Sequence, residues 1–129
     1  MGEDKSSAAK TILVADDDPA ITTSLTSYLK SLGYHALAAS DGEEAMKIIE
    51  ESRPDLVILD IAMPKASGIV VMHRVRAHAD LSLRETPVIM LTAKSDARHE
   101  AYSEEAGASA FVAKPVALTE LADKIRELL

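Results

Sequence analysis

The chain has 129 residues, of which 47% are hydrophobic and 27% charged, and its 14 Lys+Arg against 21 Asp+Glu leave a net charge of −7. That length supports one domain with a real core, and the acidity argues against a sequence-independent nucleic-acid binder. The absence of cysteine excludes disulfides, thiol catalysis and zinc–thiolate sites.

No apolar run reaches the about 18 residues of a membrane span. No signal-like apolar stretch follows Met1, so a cytoplasmic setting is expected. The acidity is uneven. Residues 1–65 carry 6 basic and 12 acidic groups, a balance of −6, whereas residues 66–129 carry 8 and 9, a balance of −1. Residues 1–10 are small, polar and aperiodic and read as a flexible tail, which leaves 11–129 as the folded domain.

From there the chain alternates two patterns. Thr11–Ala15 is a short apolar run and the first predicted strand. Asp18 before Pro19 is an N-cap with proline at the first helical position. Ile21, Leu25, Leu29 and Leu32 then repeat on one face, and Gly33 is placed to end that helix. Tyr34–Ala39 is the second strand. Asp41 with Glu44 three residues on resembles a capping box, ahead of Ala45, Met46 and Ile49. Pro54 stops that helix. Asp55–Leu59 is the third strand. Gly68 to about His78 is a third helix with apolar Ile69, Met72 and Val75. Pro87–Leu91 is the fourth strand, Asp96 to about Ala106 the fourth helix, and Ser109–Ala113 the fifth strand. Leu118, Leu121, Ala122, Ile125 and Leu128 form the inner stripe of a fifth helix. The third and fourth strands do not alternate apolar with polar, which is the mark of strands buried on both faces. The expectation is an α/β fold, (βα) repeated five times around a doubly wound parallel sheet. Such folds bind ligands beyond the carboxyl ends of the strands.

The residues at those ends carry chemistry. The first strand runs into Asp16, Asp17 and Asp18, the third into Asp60, the fourth into Thr92, the fifth into Lys114 and Pro115. Each alone has an ordinary reading: Asp18 a helix cap, Asp16 and Asp17 loop acids, Asp60 a turn residue. Adjacent carboxylates repel unless a cation sits among them. A hard divalent cation, Mg²⁺ or Mn²⁺, fits such oxygen donors. Asp16, Asp17 and Asp60 sum to −3, and Mg²⁺ with Lys114 supplies +3, so the pocket can admit a phosphoryl group. Lys114 would meet one phosphate oxygen and the Thr92 hydroxyl another. One carboxylate must be the nucleophile, and Asp60, alone at its strand end, is the better candidate.

At these residues the chain resembles the receiver domain of two-component response regulators. The matching text is Ile12-Leu13-Val14-Ala15-Asp16-Asp17-Asp18-Pro19, Asp55-Leu56-Val57-Ile58-Leu59-Asp60-Ile61-Ala62-Met63-Pro64, Val88-Ile89-Met90-Leu91-Thr92-Ala93 and Phe111-Val112-Ala113-Lys114-Pro115. The resemblance covers essentially 11–129. It implies a flavodoxin-like sheet of strand order 2-1-3-4-5. It makes Asp60 the phosphoacceptor, Asp17 a direct Mg²⁺ ligand, Asp16 a ligand mainly through water, and the Ala62 carbonyl a further ligand. Thr92 and Phe111 become a switch pair that reshapes the face of the fourth helix, fifth strand and fifth helix. Ala62 and Lys94 become candidates for tuning dephosphorylation. The implied donor is a sensor histidine kinase or a histidine phosphotransfer protein. The implied target of the switching face is an unidentified output domain or protein. Neither nucleic acid nor membrane is an implied partner of this domain. A phosphorylation-dependent homodimer is left open. Ser109 and Ala110 depart from the acids that support salt-bridged dimers in regulators with winged-helix outputs. The domain is expected to catalyse only its own phosphotransfer and dephosphorylation.

Glu104, Glu105 and the cluster His73, Arg74, Arg76, His78 read as solvated helix faces. Three rivals stand beside the receiver reading. A haloacid-dehalogenase-type hydrolase would use Asp16 and Asp18 but leave Asp60 idle and lack acidic metal ligands at a later strand end. A flavodoxin-like binding module would need a glycine-rich first turn that is missing here. A degenerate receiver would act by docking alone.

Overall fold

The structure, a computed structural model, describes residues 9–93 and 107–129. The continuous apolar runs become strands because only the interior of a sheet covered on both faces can bury every side chain. Five strands form: β1 (Thr11–Ala15), β2 (His35–Ala39), β3 (Leu56–Asp60), β4 (Val88–Thr92) and β5 (Ala110–Ala113). All pairings are parallel and the order is β2-β1-β3-β4-β5. Every residue of β3 and β4 is buried. The expected strand order is therefore met. β3 and β4 each run one residue further than expected, so Asp60 and Thr92 are the last strand residues rather than the residues after them.

Alternation along each strand sorts the core into two layers. Leu13, Ala15, Val57, Leu59, Val88 and Met90 face one side. They meet Ala45 and Ile49 of helix α2 (Gly42–Ser52) and Val71, Met72 and Val75 of α3 (Gly68–Arg76). Ile12, Val14, Leu56, Ile58, Ile89, Leu91 and Val112 face the other side. They meet Leu25 and Leu29 of α1 (Pro19–Ser31) and Leu121 and Ile125 of the helix 118–128. Each fully buried Leu or Ile contributes about 1.5–3 kcal/mol of transfer free energy.

Local signals set the helix ends. Asp18 accepts from the Ala20 N–H to cap α1. Asp41 accepts from the Glu44 N–H at 2.7 Å to cap α2. Glu44 does not close the expected capping box on Asp41; its Oε1 reaches one residue back, to the Ser40 N–H and hydroxyl. Leu32 leaves the apolar stripe of α1: it is the C-cap and is 43% exposed, because the left-handed Gly33 turns the chain away. A short helix α4 (Leu81–Arg84), capped by Asp80, was not expected from the sequence; four residues are too few to show a period. Helix α5 (Leu118–Leu128) follows β5. The helix expected at Asp96–Ala106, with Glu104, Glu105 and Lys94, lies outside the described residues. No described helix is long and apolar enough to cross a membrane.

Candidate functional site

Register decides which strand ends meet. Ala15 pairs with Leu59, Asp60 with Leu91, and Thr92 with Ala113. The residues that follow β1 and β5 are thereby brought to the same edge as the last residues of β3 and β4.

Asp16 extends the β1–β2 ladder by one bond, donating its N–H to the Ala39 carbonyl at 3.1 Å. Its side chain is fully buried. Oδ1 accepts from the Asp18 N–H at 2.9 Å, an Asx turn that fixes the carboxylate. Oδ2 has no partner in hydrogen-bond geometry, yet it lies 3.0 Å from Lys114 Nζ, so the contact is an ion pair rather than a directed bond. The same ammonium lies 3.2 Å from Asp60 Oδ1. The Ala62 N–H also acts on the Asp60 carboxyl, favouring its charged form. Asp17 is exposed, but its carboxylate joins those of Asp16 and Asp60 within 4.8 Å of one another. Beside the acids opens a cavity of about 330 Å³, lined by Asp16, Asp17, Thr22, Ser40 and Glu44 among others.

The electrostatics follow from that geometry. Burial pushes the Asp60 carboxyl up to about 6, helped by repulsion from Asp16 and opposed by Lys114 and the Ala62 N–H. Burial works against the Lys114 charge, but the close approach of the Asp16 and Asp60 carboxylates, at 3.0 and 3.2 Å, outweighs it and holds its pKa above the usual lysine value. One ammonium thus serves two buried acids with a third beside them, a residual negative charge on hard oxygen donors. The buried Asp16 Oδ2, without a hydrogen bond, adds to the demand for a cation. This donor set fits Mg²⁺ or Mn²⁺.

Thr92 is buried at the end of β4. The Lys114 N–H donates to its carbonyl at 2.7 Å, which seats the lysine against the strand. Phe111 pairs with Met90 in register. Met90 and Thr92, two residues apart on β4, share a face, and Phe111 packs, half-buried, against the core on that side. Ala62 is exposed on the loop after Asp60. Ser109 accepts from the Val88 N–H through its hydroxyl, a local role at the start of β5.

One expectation is corrected. Arg76 is not on a solvated face. Its Nε and Nη2 donate to the Gly107 carbonyl at 3.0 and 2.9 Å, and Nη1 donates to the carbonyls of Arg84 and Thr86 at 2.9 and 2.7 Å. His78 is likewise half-buried: Nδ1 accepts from the Asp80 N–H and Nε2 meets Glu50 at 3.2 Å. The sequence also hid Gly68, whose missing Cβ lets the start of α3 approach the Asp60 carbonyl.

A family model described as the response regulator receiver domain matches residues 12–126. The chain belongs to that family. Receiver domains of this family act in two-component signalling and work with histidine kinases. This receiver is 41% identical over 120 residues to ycf27 of Cyanophora paradoxa, a protein named as a transcriptional regulator, covering 93% of this chain and 48% of that one. It is similar to the signal receiver domain of a signal transduction histidine kinase from Syntrophus aciditrophicus, at 36% identity and TM-score 0.85, covering 94% of this chain and 90% of that one. It is also similar to the chemotaxis response regulator CheY4 of Vibrio cholerae, at 26% identity and TM-score 0.85, covering 94% and 99%. The receiver spans about half the length of the curated relatives it matches.

Proposed function

We propose that this receiver accepts a phosphoryl group on Asp60 from a phosphohistidine, in a Mg²⁺-dependent reaction. The observation that carries the reading is Lys114, set between two buried acids at 3.0 and 3.2 Å, with the Asp17 carboxylate beside them. A structural ion pair needs one acid; a phosphoryl-transfer site needs a nucleophile and surplus carboxylates for a metal.

In the transfer, an Asp60 oxygen forms the new O–P bond as the N–P bond of the donor breaks. The electron pair of that bond stays on the imidazole, which leaves neutral when its other nitrogen bears a proton. Lys114, already within reach of Asp60, neutralises phosphoryl charge, and the Thr92 hydroxyl donates to a phosphoryl oxygen. Asp17, Asp60 and the Ala62 carbonyl would hold the metal, with Asp16 acting mainly through water; bound there, it would neutralise phosphoryl oxygens. The acyl phosphate adds charge where Asp60 had one carboxylate, and Thr92 is drawn toward it. The ring of Phe111, on the same sheet face, follows into the vacated space and reshapes the β5–α5 side for an output domain or target protein. Ala62 and Lys94, each two residues past a site residue, tune how fast water removes the group. The chain acts on itself, not on a separate substrate.

The test is acetyl phosphate with MgCl₂, read by intact mass. Wild type gains one phosphoryl group, Asp60→Ala gains none, and EDTA abolishes labelling. Multiple-turnover hydrolysis that survives Asp60→Ala would overturn the reading in favour of a dehalogenase-type hydrolase.

A further inference from the structure

The loop 61–67 follows directly on Asp60 at the end of β3 and carries Ala62, whose N–H favours the charged form of that carboxyl, so its position sets the acceptor's surroundings. Two of its anchors lie beside β3. The Ile61 N–H donates to the Leu91 carbonyl at 3.3 Å, and the Gly68 N–H donates back to the Ile61 carbonyl at 2.9 Å. The third anchor is remote: the tip of the loop is seated on the N-terminus of α2. The Gly42 N–H donates to the Pro64 carbonyl at 3.3 Å, and the Cα face of Gly42 lies against the backbone of Ala66, where a Cβ would stand 2.1 Å from its carbonyl oxygen. At the same junction Lys65 adopts a left-handed φ of 69°, disfavoured for a side chain with a Cβ. Its ammonium lies 3.6 Å from Asp41 Oδ2. Asp41 therefore acts in two directions: Oδ1 caps α2 through the Glu44 N–H at 2.7 Å, and Oδ2 faces Lys65.

We infer that Asp41 is a positioning residue for the acceptor loop, holding Lys65 so that the Ala62 backbone keeps its place beside Asp60 and the metal site. The inference rests on the reading of Asp60 as the acceptor. Asp41 touches none of the reacting groups; it acts through Lys65. The Lys65 side chain is 67% exposed, so solvent screening keeps the effect small.

The chemistry of Asp41 separates its two duties. Asp41→Asn keeps an oxygen for the cap and removes the charge. Lys65→Met removes the ammonium, and Lys65→Arg keeps a cation. Mg²⁺ affinity is measured calorimetrically, and the Ala62 amide is followed by NMR in the metal-free protein. Positioning predicts that Asp41→Asn and Lys65→Met both weaken Mg²⁺ binding, by about two- to five-fold. Both shift the Ala62 amide, the double variant is no worse than either single, and Lys65→Arg stays near wild type. A plain charge effect predicts opposite signs, since removing Lys65 would then tighten cation binding. Opposite signs, unchanged affinity or an unmoved Ala62 amide would overturn the inference. Failure of the wild type to bind Mg²⁺ or to label on Asp60 would sink the acceptor reading instead, while the metal-free Ala62 shift still decides whether the latch exists.

Discussion

The Cα of Gly68 faces the backbone carbonyl of Asp60, and a Cβ at Gly68 would stand 2.3 Å from that oxygen and 3.0 Å from its carbon. Helix α3 thus begins directly against the residue proposed as phosphoacceptor. The contact is backbone on one side and has no side chain able to turn away.

Gly68→Ala is therefore expected to push the end of β3 rather than be absorbed. The expected loss is about 1–3 kcal/mol, in the range of overpacked cores, with slower labelling of Asp60 by acetyl phosphate. Urea unfolding at an unchanged m-value checks the first part and labelling kinetics the second. A variant as stable and as quickly labelled as wild type would mean that the strand end yields freely.

Asp60→Asn should stabilise the metal-free protein at pH 8. Burial and the Asp16 charge raise the folded-state pKa of Asp60 to about 6, from an ordinary value of 3.8. Between these values the folded state holds more protons than the unfolded one, so this group's contribution to stability falls as pH rises from about 4 to about 6 and stays low above. The neutral amide escapes that loss. The opposing pull of Lys114 is already contained in that raised value, so the gain is about 1–3 kcal/mol at pH 8. It should shrink as pH falls through 6. Melting curves in EDTA at several pH values provide the check, and a pH-independent difference would contradict the assignment.

Lys114→Met leaves Asp16 and Asp60 facing each other without their shared cation. The metal-free variant should lose about 1–3 kcal/mol, below the range for a fully buried pair because Lys114 is 24% exposed. Added Mg²⁺ should then raise its Tm more than that of wild type, since a cation restores what the lysine supplied. Equal Mg²⁺-induced shifts would show that the acids do not share one electrostatic site.

Arg76→Ala strips donors from the carbonyls of Gly107, Arg84 and Thr86. The expected cost is about 2–4 kcal/mol. Arg76→Lys should recover little, because an ammonium lacks the planar fork that reaches three carbonyls on two segments at once. Guanidinium unfolding of both variants tests this, and a near-neutral alanine variant would return Arg76 to the solvated face that its neighbours suggest.

How much of this was legible beforehand depends on how each feature is written in the chain. Leu56–Leu59 and Val88–Leu91 announce buried parallel strands because burial on two faces removes the polar residues that would otherwise alternate. Asp18 and Asp41 announce helix starts because a short acceptor side chain before a helix has a local task. The strand-end residues Asp16, Asp17, Asp60, Thr92 and Lys114 stand out by type and spacing, and the structure brings the three acids and the lysine to one place.

Other features have no local mark. The partners of Arg76 are backbone carbonyls, which carry no residue identity. Glu44 reaches Ser40 rather than Asp41, a choice of one residue made by loop geometry. Leu32 fits the stripe of α1 by spacing and is exposed because Gly33 ends the helix there. The sequence by itself determined the five strands, helices α1, α2, α3 and α5, most of their buried faces and the identity of the acidic residues, since these follow from periodicity and side-chain chemistry within a few neighbours. Only the tertiary structure decided that Lys114 lies between Asp16 and Asp60, that Asp60 is buried enough to resist ionisation, and that Lys65 meets Asp41. Those depend on distances between residues tens of positions apart, and strand register with helix docking, not local pattern, sets such distances.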